Sequence, residues 1–244
     1  GHPFVFREAL RLPPGLAAGE VVDLLDQRGD FVARGTVEPE SPLAFRVWTL
    51  DRRELVDEAL LRRRLRVAAA WRREILDPET TGYRLCHGES DGLPGLQCDL
   101  YGEIASLRTD GAVGAAWEER FVAAVEEVVS PAAVILRNQT VADGTARVVR
   151  GAVGGEVTIR EGRRRFAVDL LAGQKTGFFL DQRDNRCLVE EWASGGDVLN
   201  AFSYTGGFSL YAARGGARSV TSLDLSEHAL AGARRNFELN RDQR

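Results

Sequence analysis

Methionine is absent from the 244 residues, so Gly1 does not read as a translation start and residues ahead of it are expected. Cysteine is scarce. Cys86, Cys98 and Cys187 are an odd number without the close spacing of a metal site. That argues against a disulfide framework and for reduced, partly buried thiols. No apolar run approaches the roughly 18 to 20 residues of a membrane helix, and no secretory signal precedes the first strand-like segment. The expectation is a soluble, cytoplasmic protein with no membrane partner. Lysine is nearly missing: of 32 basic residues, only Lys175 is not arginine. Arginine pairs with phosphates and stacks on unpaired bases, but a genomic composition bias gives the same count and is the preferred reading.

An overall positive charge is also lacking. A net charge of −4 disfavours a generic nucleic-acid binder, so any such surface must be local. Residues 77–156 carry 6 basic and 13 acidic side chains, whereas residues 51–76 carry 8 arginines against 5 acids.

Taken in order, the chain begins with short apolar runs at 20–26, 31–37 and 44–50. Pro13-Pro14-Gly15, Gly29-Asp30 and Pro39-Glu-Ser-Pro42 separate them. Strand-length runs between turn residues predict a small β-barrel. Asp51 to Leu76 reads as one helix, with Leu55, Ala59, Leu61, Leu65, Ala68, Ala69 and Ile75 near helical spacing. Its arginines Arg62, Arg63, Arg64, Arg66, Arg72 and Arg73 fit an RNA-facing connector or an ordinary solvated face equally well. Strands follow at 82–87, 95–99 and 103–108, then a helix at 115–129 ended by Pro131, a strand at 133–138, and a hairpin at 156–170. His87, Glu89, Asp91 and Cys98 invite a metal assignment. Three of them crowd one turn without a second ligand pair, so a hydrogen-bonded loop is the better reading and no metal is expected.

The chain is organised around Asp197-Val-Leu-Asn-Ala-Phe-Ser-Tyr-Thr-Gly-Gly-Phe-Ser-Leu-Tyr211, which reads as strand, tight turn and helix. A second strand, 219–224, ends in Asp224, and Ser226 is placed to cap a helix running to about Asn240. Such a turn brings backbone N–H groups close to a nucleotide-like ligand, while an acid at the end of the next strand accepts ribose hydroxyls. Gly206 to Asp224 is near the separation of about 20 residues expected of that fingerprint. The turn is not G-x-G-x-x-G, however, since Phe202 and Tyr204 stand where glycines would. Less room for a pyrophosphate favours a smaller ligand, and the pattern is similar to the S-adenosylmethionine pocket of class I methyltransferases. An ordinary strand–turn–helix unit remains the alternative.

Just upstream lies Gly173-Gln-Lys-Thr-Gly-Phe-Phe-Leu-Asp-Gln-Arg183, followed by Asn185-Arg186, with a helix expected at 182–193. With Phe202-Ser-Tyr-Thr-Gly-Gly-Phe208, this resembles the PUA-containing bacterial methyltransferases that make 5-methylcytosine in large-subunit ribosomal RNA. Gly29-Asp-Phe-Val-Ala-Arg-Gly35 is similar to a strand pair of the RNA-binding PUA domain. The resemblance implies a multidomain α+β and α/β protein. A PUA-like β-barrel and connecting helix would occupy 1–70, a middle α+β domain 77–170, and an incomplete Rossmann-like methyltransferase domain 171–244. It further implies S-adenosylmethionine as cofactor, 23S ribosomal RNA as partner, a homodimer, and transfer of methyl to cytosine C5. The cofactor would be held by Gln182, Arg183, Phe202, Ser203, Tyr204, Thr205, Gly206 and Asp224. Rival readings are guanine methylation and a noncatalytic RNA binder. In the family, a catalytic cysteine and an Asp-Pro-Pro turn follow later strands. Neither motif is found here, so no catalytic residue is assigned and the domain is expected to be cut. Cys187 is read as a core thiol.

Overall fold

The computed structural model describes residues 2–138, 146–171 and 177–243. It divides into two compact units, one formed by residues 1–76 and 84–153, the other by 77–83 and 154–244.

The first unit opens with β1 (Phe4–Val5), β2 (Val21–Leu25), β3 (Phe31–Val37) and β4 (Phe45–Thr49). These pair antiparallel in the order β1-β4-β3-β2. The expected small β-barrel is thus seen as a four-stranded sheet, and among the described residues no pairing joins β2 to β1. Ala33, Val37, Phe45 and Trp48 are buried against the remainder of the unit.

Helix α1 spans Glu58–Ile75, seven residues later than the expected start at Asp51. The local chemistry explains the shift. The Asp51 carboxylate turns back to accept from Arg53 N–H (2.9 Å), whereas Asp57 accepts from Leu60 N–H (2.9 Å) and caps the helix. Leu60, Leu61, Leu65 and Ala68 face the core.

Strands β5 (Gly82–His87), β6 (Leu96–Tyr101) and β7 (Ile104–Thr109) follow, then α2 (Gly111–Val129), β8 (Ala133–Asn138) and β9 (Arg147–Arg150). The sheet order is β5-β6-β7-β8-β9, with β7 and β8 parallel and α2 making the crossover between them. Strand β9 is unheralded in the sequence: four residues, two of them arginine, give no usable alternation. The helix begins a turn before its expected start because Glu38, from the first sheet, accepts from Ala112 N–H at 2.6 Å. A cap supplied from 74 residues away leaves no local signature. Trp117 ties the same regions together. Its indole N–H donates to Gly19 O (2.8 Å) and its ring packs on Trp48 at 4.9 Å.

Glu38 is buried and brings a negative charge to the helix N-terminus. Glu38→Ala is therefore expected to cost about 0.5–2 kcal/mol of stability, the usual loss for a removed cap. Urea denaturation followed by circular dichroism reads this. A midpoint equal to wild type means that the carboxylate does not hold α2.

In the second unit, β10 (Glu156–Glu161) and β11 (Arg164–Asp169) form the expected hairpin. Residues 77–83 run beside it, Thr81 N–H donating to Arg160 O at 2.9 Å. Helix α3 (Arg183–Trp192) precedes β12 (Asp197–Ala201), α4 (Gly207–Arg214), β13 (Ser219–Leu223) and α5 (Glu227–Leu239). Strands β12 and β13 are parallel, in register from Asp197↔Ser219 to Ala201↔Leu223, and α4 is the crossover. Ser226 caps α5 by accepting from Ala229 N–H at 3.2 Å. On α5, Asn236 and Asn240 are buried and bind the β11 backbone. Asn236 Oδ1 accepts from Ala167 N–H (2.8 Å), and Asn240 bridges Arg165 N–H (2.9 Å) and Arg165 O (2.7 Å). A side-chain amide fastens helix to strand in this way only where both its donor and its acceptor are used.

Candidate functional site

The site forms where β12 ends. Phe202 (φ 61°) and Tyr204 (φ 48°) adopt the left-handed region, as does Gly206 (φ 75°). For the two aromatic residues this costs about 1–3 kcal/mol each and persists only where the surroundings over-determine it. Three hydrogen bonds do so here. Ser203 N–H donates to Leu223 O (3.0 Å), Tyr204 N–H to Asp224 Oδ2 (2.7 Å) and Gly206 N–H to Ser203 O (2.9 Å). The second Asp224 oxygen accepts from Ser226 N–H at 2.9 Å. Bonds from Ser226 and Tyr204 favour the ionised form and hold the Asp224 carboxyl below its ordinary range. From behind, Asn236 donates to Thr205 O at 2.8 Å. Gly206 is required where α5 comes close, since a Cβ there would lie 2.8 Å from Ala233 Cβ.

Against the turn lies a cavity of about 300 Å³, at the small end of the range for ligand sites. Phe202, Ser203, Tyr204 and Thr205 form one wall. Phe178, Phe179, Asp181, Gln182 and Arg186 form the facing one, and Gly207 and Phe208, at the start of α4, close the end. Tyr204 joins the walls: its hydroxyl donates to Gly177 O (3.1 Å) and its ring meets Phe179 edge-on at 5.5 Å. Ser203 is buried, and among the described residues its Oγ has no hydrogen-bond partner. A buried hydroxyl left unpaired costs about 1–3 kcal/mol, a further strain held in the turn.

Of the residues singled out in the sequence, Gln182, Phe202, Ser203, Tyr204 and Thr205 come together around the cavity. Gly206 and Asp224 stand outside its lining and shape the turn. Arg183 also stands outside, turned toward Asp184 at 3.3 Å. Gly173-Gln-Lys-Thr176 lies outside the described residues. Sequence reasoning missed Phe178, Phe179, Asp181, Arg186, Gly207 and Phe208 as lining. All six sit inside the two motifs, which was the available signal, but nothing in an arginine-rich chain marks Arg186 apart.

The cysteines require a correction. Cys187 is exposed on α3, not a core thiol: the helix turns its neighbour Arg186 inward instead. Cys86 and Cys98 are fully buried. Burial pushes the Cys86 and Cys98 thiols above their ordinary value. Neither has the depressed value of an activated thiolate.

The acids of the 88–91 turn and of β6 are engaged by arginines. Asp91 receives Arg72 at 2.5 and 2.7 Å, Glu89 receives Arg46 at 2.6 Å, and Asp99 receives Arg84 at 2.7 and 3.0 Å. The basic helix is likewise committed. Arg62 and Arg66 pair with Glu127, Arg63 and Arg64 with Glu54, and Arg64 also donates to Trp48 O and Gly92 O. Several arginines of α1 thus bind acids of their own unit, an arrangement that neither reading of the helix anticipated. Among the described residues, no helix is long and apolar enough to cross a membrane.

Comparison with known proteins agrees with this geometry. A family model described as S-adenosylmethionine-dependent methyltransferase matches residues 117–243, and one described as PUA-like domain matches residues 1–50. A ribosomal RNA large subunit methyltransferase of Deinococcus radiodurans is 42% identical over 258 aligned residues. Ribosomal RNA large subunit methyltransferase I of Alteromonas mediterranea is 38% identical over 247. Each alignment takes in 98% of this chain but 62% of the relative, so the chain spans about three fifths of these proteins. Among solved structures, a Streptococcus mutans protein proposed to be a SAM-dependent methyltransferase superposes with a TM-score of 0.81. It is 26% identical, with 93% of this chain and 61% of that chain covered. A second proposed methyltransferase, complexed with SAH, gives 0.86 at 24% identity, with 99% and 63% covered, and shows the likeness of fold. With the family model matching more than half of its length, the chain belongs to the S-adenosylmethionine-dependent methyltransferases.

Proposed function

We propose that the protein transfers a methyl group from S-adenosylmethionine to C5 of a cytosine in 23S ribosomal RNA. The observation that carries this reading is the cavity at the end of β12, walled by the strained 202–205 turn and by Gln182. Names of relatives at 38% and 42% identity supply the RNA class. In this reading Gln182 and the 202–205 turn hold the cofactor, and Asp224 takes the ribose hydroxyls with the acceptor capacity that its two backbone bonds leave free. The PUA-like residues 1–70 hold RNA, residues 77–170 serve as the middle domain, and residues from 171 onward hold the donor. The RNA surface is assigned to the PUA-like sheet, where the matching family model lies.

The cofactor supplies an electrophilic methyl on sulfonium. The protein must then make C5 nucleophilic, which in this chemistry requires a thiolate added at C6. None of Cys86, Cys98 or Cys187 is assigned that role: Cys86 and Cys98 are fully buried, and Cys187 lies on α3 outside the cavity lining. The rival reading is methylation of a guanine amino or ring nitrogen, which needs no thiolate.

The test is transfer of tritium-labelled methyl by the full-length protein to unmethylated 23S ribosomal RNA, followed by nucleoside analysis. Label in 5-methylcytosine is expected. Label in methylguanine selects the second reading, and RNA binding without transfer identifies a noncatalytic binder. Binding of NAD, with none of the methyl donor, would overturn the cofactor assignment.

A further inference from the structure

We infer that Arg186 is a positioning residue, and that with Glu161 and Tyr211 it sets the wall of the cavity formed by residues 178–182. The inference rests on the cofactor reading for its ligand, though not for its geometry. Arg186, on α3, and Glu161, at the end of β10, are 2% and 1% exposed. Arg186 Nε donates to Glu161 Oε2 at 3.0 Å, and its Nη2 donates to the other carboxylate oxygen. Tyr211 on α4 donates its hydroxyl to Glu161 Oε2 at 3.1 Å. The remaining terminal nitrogen, Nη1, donates to Phe179 O at 3.0 Å. The guanidinium also lies over the Phe178 ring at 4.7 Å. Gly207 leaves room for it, because a Cβ there would meet Arg186 Cδ at 3.2 Å.

Stability does not explain this arrangement. Taking two charges fully out of water is costly, and apolar replacement of a buried ion pair is often neutral or stabilising. What apolar side chains cannot supply is the bond to Phe179 O. That carbonyl belongs to the segment bearing Phe178, Phe179, Asp181 and Gln182, all of which line the cavity. A planar fork fixed on Glu161 presents its third nitrogen in one direction only, so the hairpin and two helices together dictate where the segment stands. Lysine keeps the charge but has no fork.

The experiment compares wild type with the double variant Glu161→Leu/Arg186→Met by thermal melting, S-adenosylhomocysteine titration and hydrogen exchange of amides 178–182 without ligand. The expected result is a retained cooperative melt, affinity about tenfold to a hundredfold weaker, as for the loss of one charge-assisted hydrogen bond to the ligand, and faster exchange at 178–182. A purely structural pair predicts otherwise: a folded double variant with wild-type affinity and exchange, which overturns the inference. Should that variant not fold, Arg186→Lys is read by the same criteria. If wild type binds no S-adenosylhomocysteine, the cofactor reading fails by itself. The ligand-free exchange comparison then still decides whether Arg186 holds the wall.

Discussion

Asp224→Ala is expected to weaken S-adenosylhomocysteine binding by about a hundredfold or more. Each charge-assisted hydrogen bond of a carboxylate contributes about 1.5–3 kcal/mol, and the substitution removes two kinds of them. The bonds to ribose are lost directly. The bond from Tyr204 N–H is lost as well, and with it part of what holds Tyr204 at φ 48°. Asp224→Asn should rescue little, because its amide NH₂ would face either the Tyr204 or the Ser226 N–H, donor against donor. The pH dependence follows from the lowered carboxyl. A group whose folded value is depressed contributes stability above its unfolded value and loses that contribution as pH falls through the folded value. The Asp224 contribution is thus constant across neutral pH and fades only in acid, below the ordinary carboxylate range near 4. Calorimetry between about pH 6 and 8 should show no change in affinity from this group. Unchanged affinity in Asp224→Ala would remove the residue from the site.

The place of Asp224, just past β13 and beside the turn, was legible because the end of a strand is a fixed place in a βαβ unit, and its spacing from the glycine turn is a property of the chain itself. The same holds for Ser226 and for the turn, where local chemistry and position agree. Arg186 and Glu38 were not legible, for a common reason. Each acts on a partner far away in sequence, Glu161 and Ala112 respectively, and no periodicity reports such a pair. Asp57 shows a finer failure. Two aspartates, Asp51 and Asp57, precede the helix, either able to cap it, and the choice falls to whichever finds a free N–H three residues on. Cys187 was misplaced by hydropathy: a thiol reads as buried and an arginine as exposed, yet a partner at Glu161 draws Arg186 inward and leaves its neighbour outside. The basic run of α1 misled by its sign alone, because its acidic partners Glu54 and Glu127 lie on other parts of the unit.

Gly215→Ala is expected to destabilise the second unit by about 3 kcal/mol or more and to weaken ligand binding with it. The position needs no special backbone, for Gly215 sits at φ −69°. It needs space. A Cβ there would stand 1.9 Å from Glu190 O, 2.8 Å from Glu190 C and 3.0 Å from Glu190 Cα, all atoms of the α3 backbone. Carbon atoms pack at about 3.5–4.0 Å, so the ends of α3 and α4 would have to part by roughly 1 Å or more. Overpacking a core costs about 1–3 kcal/mol when side chains can give way. Here only backbone could, which puts the cost at the upper end or beyond. The consequence reaches the site because α3 carries Arg186, while Gly207 and Phe208 begin α4. Gly154→Ala is the control: a Cβ there meets nothing within 4 Å, and a substitution at such a position stays within about 0.5 kcal/mol. Urea denaturation of both variants, with S-adenosylhomocysteine titration at low urea, measures the two effects. A Gly215→Ala protein as stable as the Gly154→Ala control means that the two helices do not approach at Gly215 as closely as described, and the wall they build together is wrongly drawn.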